Sequence, residues 1–154
     1  MSIQPVSGVT GDEARFGSSF LLQDGDLVLS GADLALVHGV ANLKQALTLR
    51  LLTPYGTDRV NATYGLDARQ AFTGDHDRRM VKELIRLEVV RTLASDPRVR
   101  EVTSVLFDDD PPFVAQVRAA GGQPANHRNR LWQVVVTVET VQDTTTLILV
   151  DVEL

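Results

Sequence analysis

The side chains able to do chemistry in this sequence are mostly carboxylates. Glu83, Glu88 and Glu101 are the acids with the most apolar surroundings, and two carboxyl groups flanking a glycosidic bond are what a lysozyme-like glycan hydrolase requires. Glu88 is the strongest of the three, because Leu87 and Val89 flank it and burial raises a carboxyl pKa. Arg91 follows at i+3, where a structural ion pair is the simpler account. Spacing fixes no acid pair, so no catalytic residue is assigned and the chain is not expected to be an enzyme. Asp75-His76-Asp77 could hold a divalent ion, yet helix capping explains the run more simply. Asp108-Asp109-Asp110 lacks the alternation and the later Glu of an EF-hand loop, which leaves at most a loosely bound surface ion. His38, His76 and His127 form no His-x-x-x-His pair, Ser18-Ser19 has no base beside it, and neither glycine motif that cradles phosphate occurs. With no cysteine, disulfides, thiolate metal sites and cysteine nucleophiles are excluded. No metal and no cofactor is expected.

Composition narrows the partners. A chain of 154 residues suits one domain, burying roughly two-thirds of the surface its unfolded form exposes. No apolar run approaches the ~18 residues of a membrane span, so direct membrane insertion is not expected. The opening MSIQPVSGVTGDEARFG has neither a basic start nor an apolar block, so it does not read as a secretory signal and the protein is expected to be made and folded in the cytoplasm. A net charge of −5 argues against nucleic acid, which demands a basic face. Basic residues do cluster at Arg78, Arg79, Lys82, Arg86, Arg91, Arg98 and Arg100, opposite the acids at 108–110. That split suits either docking between protein subunits or a solvated helix face.

The elements that must position these groups read as α+β: a small single domain, residues 19–154, with two main helices on a mostly antiparallel sheet. Residues 1–18 are Gly- and Ser-rich and read as a polar arm, mobile or ordered by a partner. Phe20 to Gln23, Leu27 to Leu29 and Asp33 to Val37 read as a small β-meander, with Asp24-Gly25 as a hairpin turn. Val40, Leu43, Leu47 and Leu51, widened by Ala46 and Leu49, predict an amphipathic helix. Pro54 stops it, and Gly56 supplies the positive φ of a sharp reversal. A short helix is expected within Leu66 to Phe72, and a second long one from Asp77 to Asp96-Pro97 whose apolar residues, Met80 through Leu93, suggest packing on two sides. Arg100 to Phe107 alternates as a strand. Residues 108–130 read as a long excursion with one helical turn near Val114 to Ala119. Leu131 to Thr140 and Thr145 to Leu154 form the clearest hairpin, with Ile148 and Val150 on one face and Leu147, Leu149 and Asp151 on the other. Its last strand is either an interior member of the sheet or an edge able to pair with another chain, and the edge is the reading adopted. No internal repeat was evident.

Several of these stretches together resemble the baseplate-wedge and sheath-initiator family of contractile phage tails, whose relatives occur in type VI secretion baseplates and extracellular contractile injection particles. The resemblance covers about residues 40 to 107. It rests on Asn42, Gln45 and Leu47, on Leu52-Thr53-Pro54-Tyr55-Gly56, on Tyr64-Gly65, and on Asp96-Pro97-Arg98, where the family usually has Glu-Pro-Arg. It implies a non-catalytic α+β protein present in six copies per baseplate, with Thr53, Pro54, Gly56, Tyr64 and Gly65 as a structural turn. Asp96, Pro97 and Arg98 would dock on wedge proteins. The strand carrying Thr145, Thr146, Leu147, Ile148, Leu149, Val150, Asp151 and Val152 would pair with the sheath protein, with hub or tube proteins as further neighbours. A generic adaptor whose hairpin binds another partner is the alternative alongside the hydrolase.

Overall fold

The computed structural model describes residues 11–119 and 131–153. The chain is α+β, and it divides into two compact units, residues 1–46 and 47–154, with the division inside a helix.

The first unit begins with α1, Gly11–Phe16, followed by six short strands: β1 Ser18–Phe20, β2 Leu22–Gln23, β3 Asp26–Leu27, β4 Leu29–Ser30, β5 Asp33–Leu34 and β6 Leu36–His38. These do not form the expected meander. They make three separate antiparallel pairs, β1 with β6, β2 with β3 and β4 with β5. The arms meet at a closed ring of backbone hydrogen bonds: Leu21 donates to Ala35, Ala35 to Val28 and Val28 to Leu21, at 2.8, 2.8 and 3.1 Å. The reason is length. Two-residue strands on either side of a tight turn can pair only with each other, so β1 and β6 are left to close the unit. Residues 21, 28 and 35 are seven apart, and so are Leu22, Leu29 and Leu36 and the pairs Asp26-Leu27 and Asp33-Leu34. In both pairs the Asp Oδ1 accepts from the following Leu amide. A seven-residue repeat is therefore present, contrary to the expectation of none, and it lies far below the roughly 20–50-residue periods of solenoids and propellers.

The supposed arm is also partly structured. Phe16 is buried and its carbonyl accepts from Asn42 Nδ2 at 2.7 Å, while Ser18 and Ser19 lie in β1. Residues 1–10 lie outside the described residues. Helix α2, Gly39–Leu52, buries Leu43, Leu47 and Leu51 as the spacing predicts, but Leu49 is exposed.

The second unit holds α3 Arg69–Phe72, α4 Arg78–Ala94, β7 Val99–Phe107, α5 Pro111–Ala119, β8 Leu131–Thr140 and β9 Thr145–Glu153. Asp77 caps α4, accepting from Met80 N at 2.7 Å. The helix is buried along one stripe, Ile85, Glu88, Val89, Thr92 and Leu93. Met80 and Leu87 are half exposed, so burial on two sides does not hold. The sheet order is β7-β8-β9, all antiparallel. Val105 and Phe107, Val134, Val136 and Val138, and Ile148 and Val150 fill one of its faces. Part of the 108–130 excursion is regular, since α5 begins at Pro111-Pro112, where proline lacks only an amide that a first turn leaves unused. Residues 120–130 and Leu154 lie outside the described residues. No helix among the described residues is long and apolar enough to cross a membrane.

Candidate functional site

The turn assigned from Thr53 to Gly65 is one interlocked piece. Leu66 N donates to Thr53 O at 2.8 Å, Tyr55 N to Leu66 O at 3.0 Å and Gly56 N to Tyr64 O at 3.4 Å. Pro54 and Leu66 thus form a parallel bridge, and Thr-Pro-x-Gly and Tyr-Gly, about ten residues apart in sequence, become adjacent backbones. Gly65 sits at φ +108, and a Cβ there would lie 2.9 Å from the Pro54 carbonyl carbon and nearer still to Thr53 O. Asp58 accepts from the amides of Val60 and Asn61, a local turn that leaves Val60 almost wholly exposed. Asn42 and Gln45 also act locally. Asn42 Oδ1 accepts from Ser19, while Gln45 bridges Leu22 N and Phe20 O, so α2 satisfies backbone groups that β1 and β2 cannot pair.

In the tripeptide Asp96-Pro97-Arg98, Asp96 is only 5% exposed. Its Oδ1 accepts from Arg98 N and Nε at 3.0 and 2.9 Å, and its Oδ2 from Arg98 Nη2 at 2.8 Å. Burial pushes the Asp96 carboxyl up, and the Arg98 hydrogen bonds and charge more than reverse this, leaving it below its ordinary value. The bidentate capacity of Arg98 is therefore turned inward. Pro97 is exposed, so the tripeptide offers a partner its proline, with the carboxylate already committed to Arg98.

The basic and acidic clusters close on each other within the chain. Lys82 Nζ donates to Asp109 and to Asp110, the latter at 2.7 Å, and Arg86 Nη2 donates to Asp110 at 2.9 Å. Arg78 lies 3.6 Å from Asp109. The cations also cover aromatic faces, Lys82 and Arg86 over Phe107 and Arg78 over Trp132. Asp108 is buried. Asp109 and Asp110 are thus ion-pair partners of α4 and Asp108 is buried, which is a simpler account of the run than a surface ion. Among the described residues no three His, Asp or Glu side chains converge as metal ligands would. Arg100 pairs with Asp143 and Glu139.

The three candidate acids are not brought together. Glu88 is buried and accepts from Arg91 at 2.7 Å, Glu83 pairs with Arg86, and Glu101 is exposed on β7. The carboxylate that joins Glu88 in one cleft is Asp67, which Arg69 holds below its usual range, the opposite of what a general acid needs.

The strand expected to be an edge is one. In β9, Ile148 and Val150 are 0% and 3% exposed, whereas Leu147 and Leu149 are 56% and 54% exposed. The hairpin turn fixes which backbone groups face outward. Thr140 N donates to Thr144 O, so 140 and 144 are a narrow pair, and narrow pairs recur at every second residue. With Val138 opposite Thr146 and Val136 opposite Ile148, the even residues of β9 are spent on β8. The outward N–H and C=O groups belong to Thr145, Leu147, Leu149 and Asp151. On the same exposed side Leu149 lies beside Val135, which is itself opposite Leu106.

Sequence reasoning expected this edge and the turn, but it missed Arg50 and Arg69. They share the cleft of Glu88 and Arg91, and no linear pattern joins residues contributed by four separate segments. Compared with protein-family models, curated proteins and solved structures, the chain gives no match.

Proposed function

We propose that this chain is a structural baseplate component of a contractile, phage-tail-like injection machine. It docks on wedge proteins through the surface around Pro97 and Arg98, and it templates the sheath by strand addition. Assembly takes place in the bacterial cytoplasm, with six copies set by the symmetry of the baseplate. The observation that carries the reading is the edge of β9, where four residues present main-chain groups that no described strand pairs, with two exposed leucines among them. Strand addition draws affinity from such main-chain groups and specificity from alternate side chains. A long, apolar edge left uncovered is an aggregation hazard, and a sheath strand is the cover proposed.

Deleting residues 145–154 would test this badly, since it also removes Ile148 and Val150 from the core. A burial loss of roughly 1.5–3 kcal/mol for each side chain would follow. Leu149→Pro is the cleaner variant. Its lost amide faces outward, and proline is tolerated on an edge strand in that orientation. The expected result is a folded protein that enters baseplates but yields particles without sheath by electron microscopy. Val150→Pro, which cuts the β8 ladder, is expected to unfold the protein. Normally sheathed particles from folded Leu149→Pro protein would reject the strand-template role.

A further inference from the structure

The end of α2, the Pro54 turn, residues 63–69 and α4 enclose a cleft of about 430 Å³, within the size range of ligand sites. Its walls carry three guanidiniums, Arg50, Arg69 and Arg91, against two carboxylates, Asp67 and Glu88. Arg69 is held by Asp67 in a two-bond fork at 2.8 and 2.7 Å and lies over the Tyr55 ring. Arg91 is held by Glu88. Arg50 has no carboxylate within ion-pair distance among the described residues. It is fixed instead by Ser95 Oγ at 2.9 Å, by the Thr92 carbonyl at 3.4 Å and by the Tyr64 ring, 5.0 Å from its carbon.

The cleft is thus a surplus of positive charge on a chain whose net charge is −5. Its cations are already oriented, so a ligand need not supply the entropy of ordering them. The surplus specifies an anion. The wall specifies its setting: the Tyr55 ring lies on it, part-exposed, with the Arg69 guanidinium over its face. A free phosphate has no use for such an apolar neighbour.

We propose that this cleft is a docking site for an acidic segment of a partner protein, seating an aspartate or glutamate carboxylate on Arg50 between Arg69 and Arg91, with an apolar residue of the segment against Tyr55. No residue of β7, β8 or β9 lines the cleft, so this site and the strand edge stand or fall separately.

The probe is a terminally blocked peptide, Leu-Glu-Glu-Leu-Leu-Glu-Glu-Leu-Leu, titrated into the full chain while amide chemical shifts are followed by NMR. The expected result is saturable movement of the Tyr55, Gly65, Thr92 and Ser95 amides, weakened by added salt as exposed charges require. Arg50→Gln is expected to weaken binding at least about tenfold. Arg69→Gln, whose side chain is largely in solvent and cannot upset the fold much, is expected to weaken it severalfold. Three outcomes would overturn the proposal: no movement of these amides, equal movement with glutamine in place of every glutamate, or inorganic pyrophosphate moving them at lower concentration than the peptide. The last would make the cleft a phosphate site.

Discussion

Gly65→Ala is expected to cost about 3–5 kcal/mol of stability, a range reached when strain and a backbone clash act together. A φ of +108 lies outside even the left-handed region that Asn and Asp tolerate, and contributes on the order of 1–3 kcal/mol. The remainder comes from the added methyl, which meets the Thr53 and Pro54 backbone rather than a side chain that could swing aside. Relieving that clash means parting the strands that carry the bonds from Leu66 N to Thr53 O and from Tyr55 N to Leu66 O. Urea unfolding should show a lower midpoint at unchanged slope. Gly11→Ala, where a methyl meets nothing within 4 Å, serves as the control and is expected to stay within about 0.5 kcal/mol of the parent.

Asp110→Ala is the second large effect, expected at about 2–4 kcal/mol. That lies somewhat under the cost of breaking a fully buried pair, because the site is partly open to solvent. One carboxylate here accepts from Lys82, from Arg86 and from the Phe107 amide at 2.9 Å. Removing it leaves the largely buried Lys82 with Asp109 as its one carboxylate partner among the described residues and takes the acceptor from the Phe107 amide. Burial pushes the Asp110 carboxyl up, and the bond from Lys82, the amide and the two cations outweigh it, leaving it below its ordinary value. The sign for stability follows. A carboxyl with a depressed folded pKa binds its proton more readily in the unfolded chain, so its contribution is complete above the unfolded value and is lost as pH falls through the folded one. Asp96 acts in the same direction. Thermal unfolding between neutral pH and pH about 3 should therefore show a steeper fall for the parent than for Asp110→Ala.

What the sequence disclosed and what it hid divide along physical lines. Helix α2, the α4 cap and the final hairpin were legible because periodicity, a capping Asp and a turn between two alternating runs are all local signals. The alternation of Ile148 and Val150 with Leu147 and Leu149 showed which face of β9 is buried, but its place at the edge came from the strand order, since alternation alone fits an interior strand as well. The six short strands misled because alternation over two or three residues does not say which neighbour is paired. Val28, whose amide goes to Leu21 rather than into a ladder, looks like the middle of a strand running from Leu27 to Leu29. The charge clusters at 78–86 and 108–110 were seen, but their closure on each other needed the fold, because α4 and the end of β7 meet only through tertiary packing. Arg50 gave no signal at all. Its significance is that, among the described residues, no carboxylate comes within ion-pair distance of it, although its charge helps hold the Asp96 carboxyl down.

The most direct test of the account is amide hydrogen exchange along β9, in the isolated protein and in its complex with sheath protein. Alone, the amides of Thr146, Ile148 and Val150 are expected to be protected by β8, and those of Leu147, Leu149 and Asp151 to exchange as an open edge does. With sheath protein bound, the odd-numbered amides are expected to become protected while the even-numbered ones barely change. Odd-numbered amides that exchange equally fast in the complex would contradict strand addition at this edge.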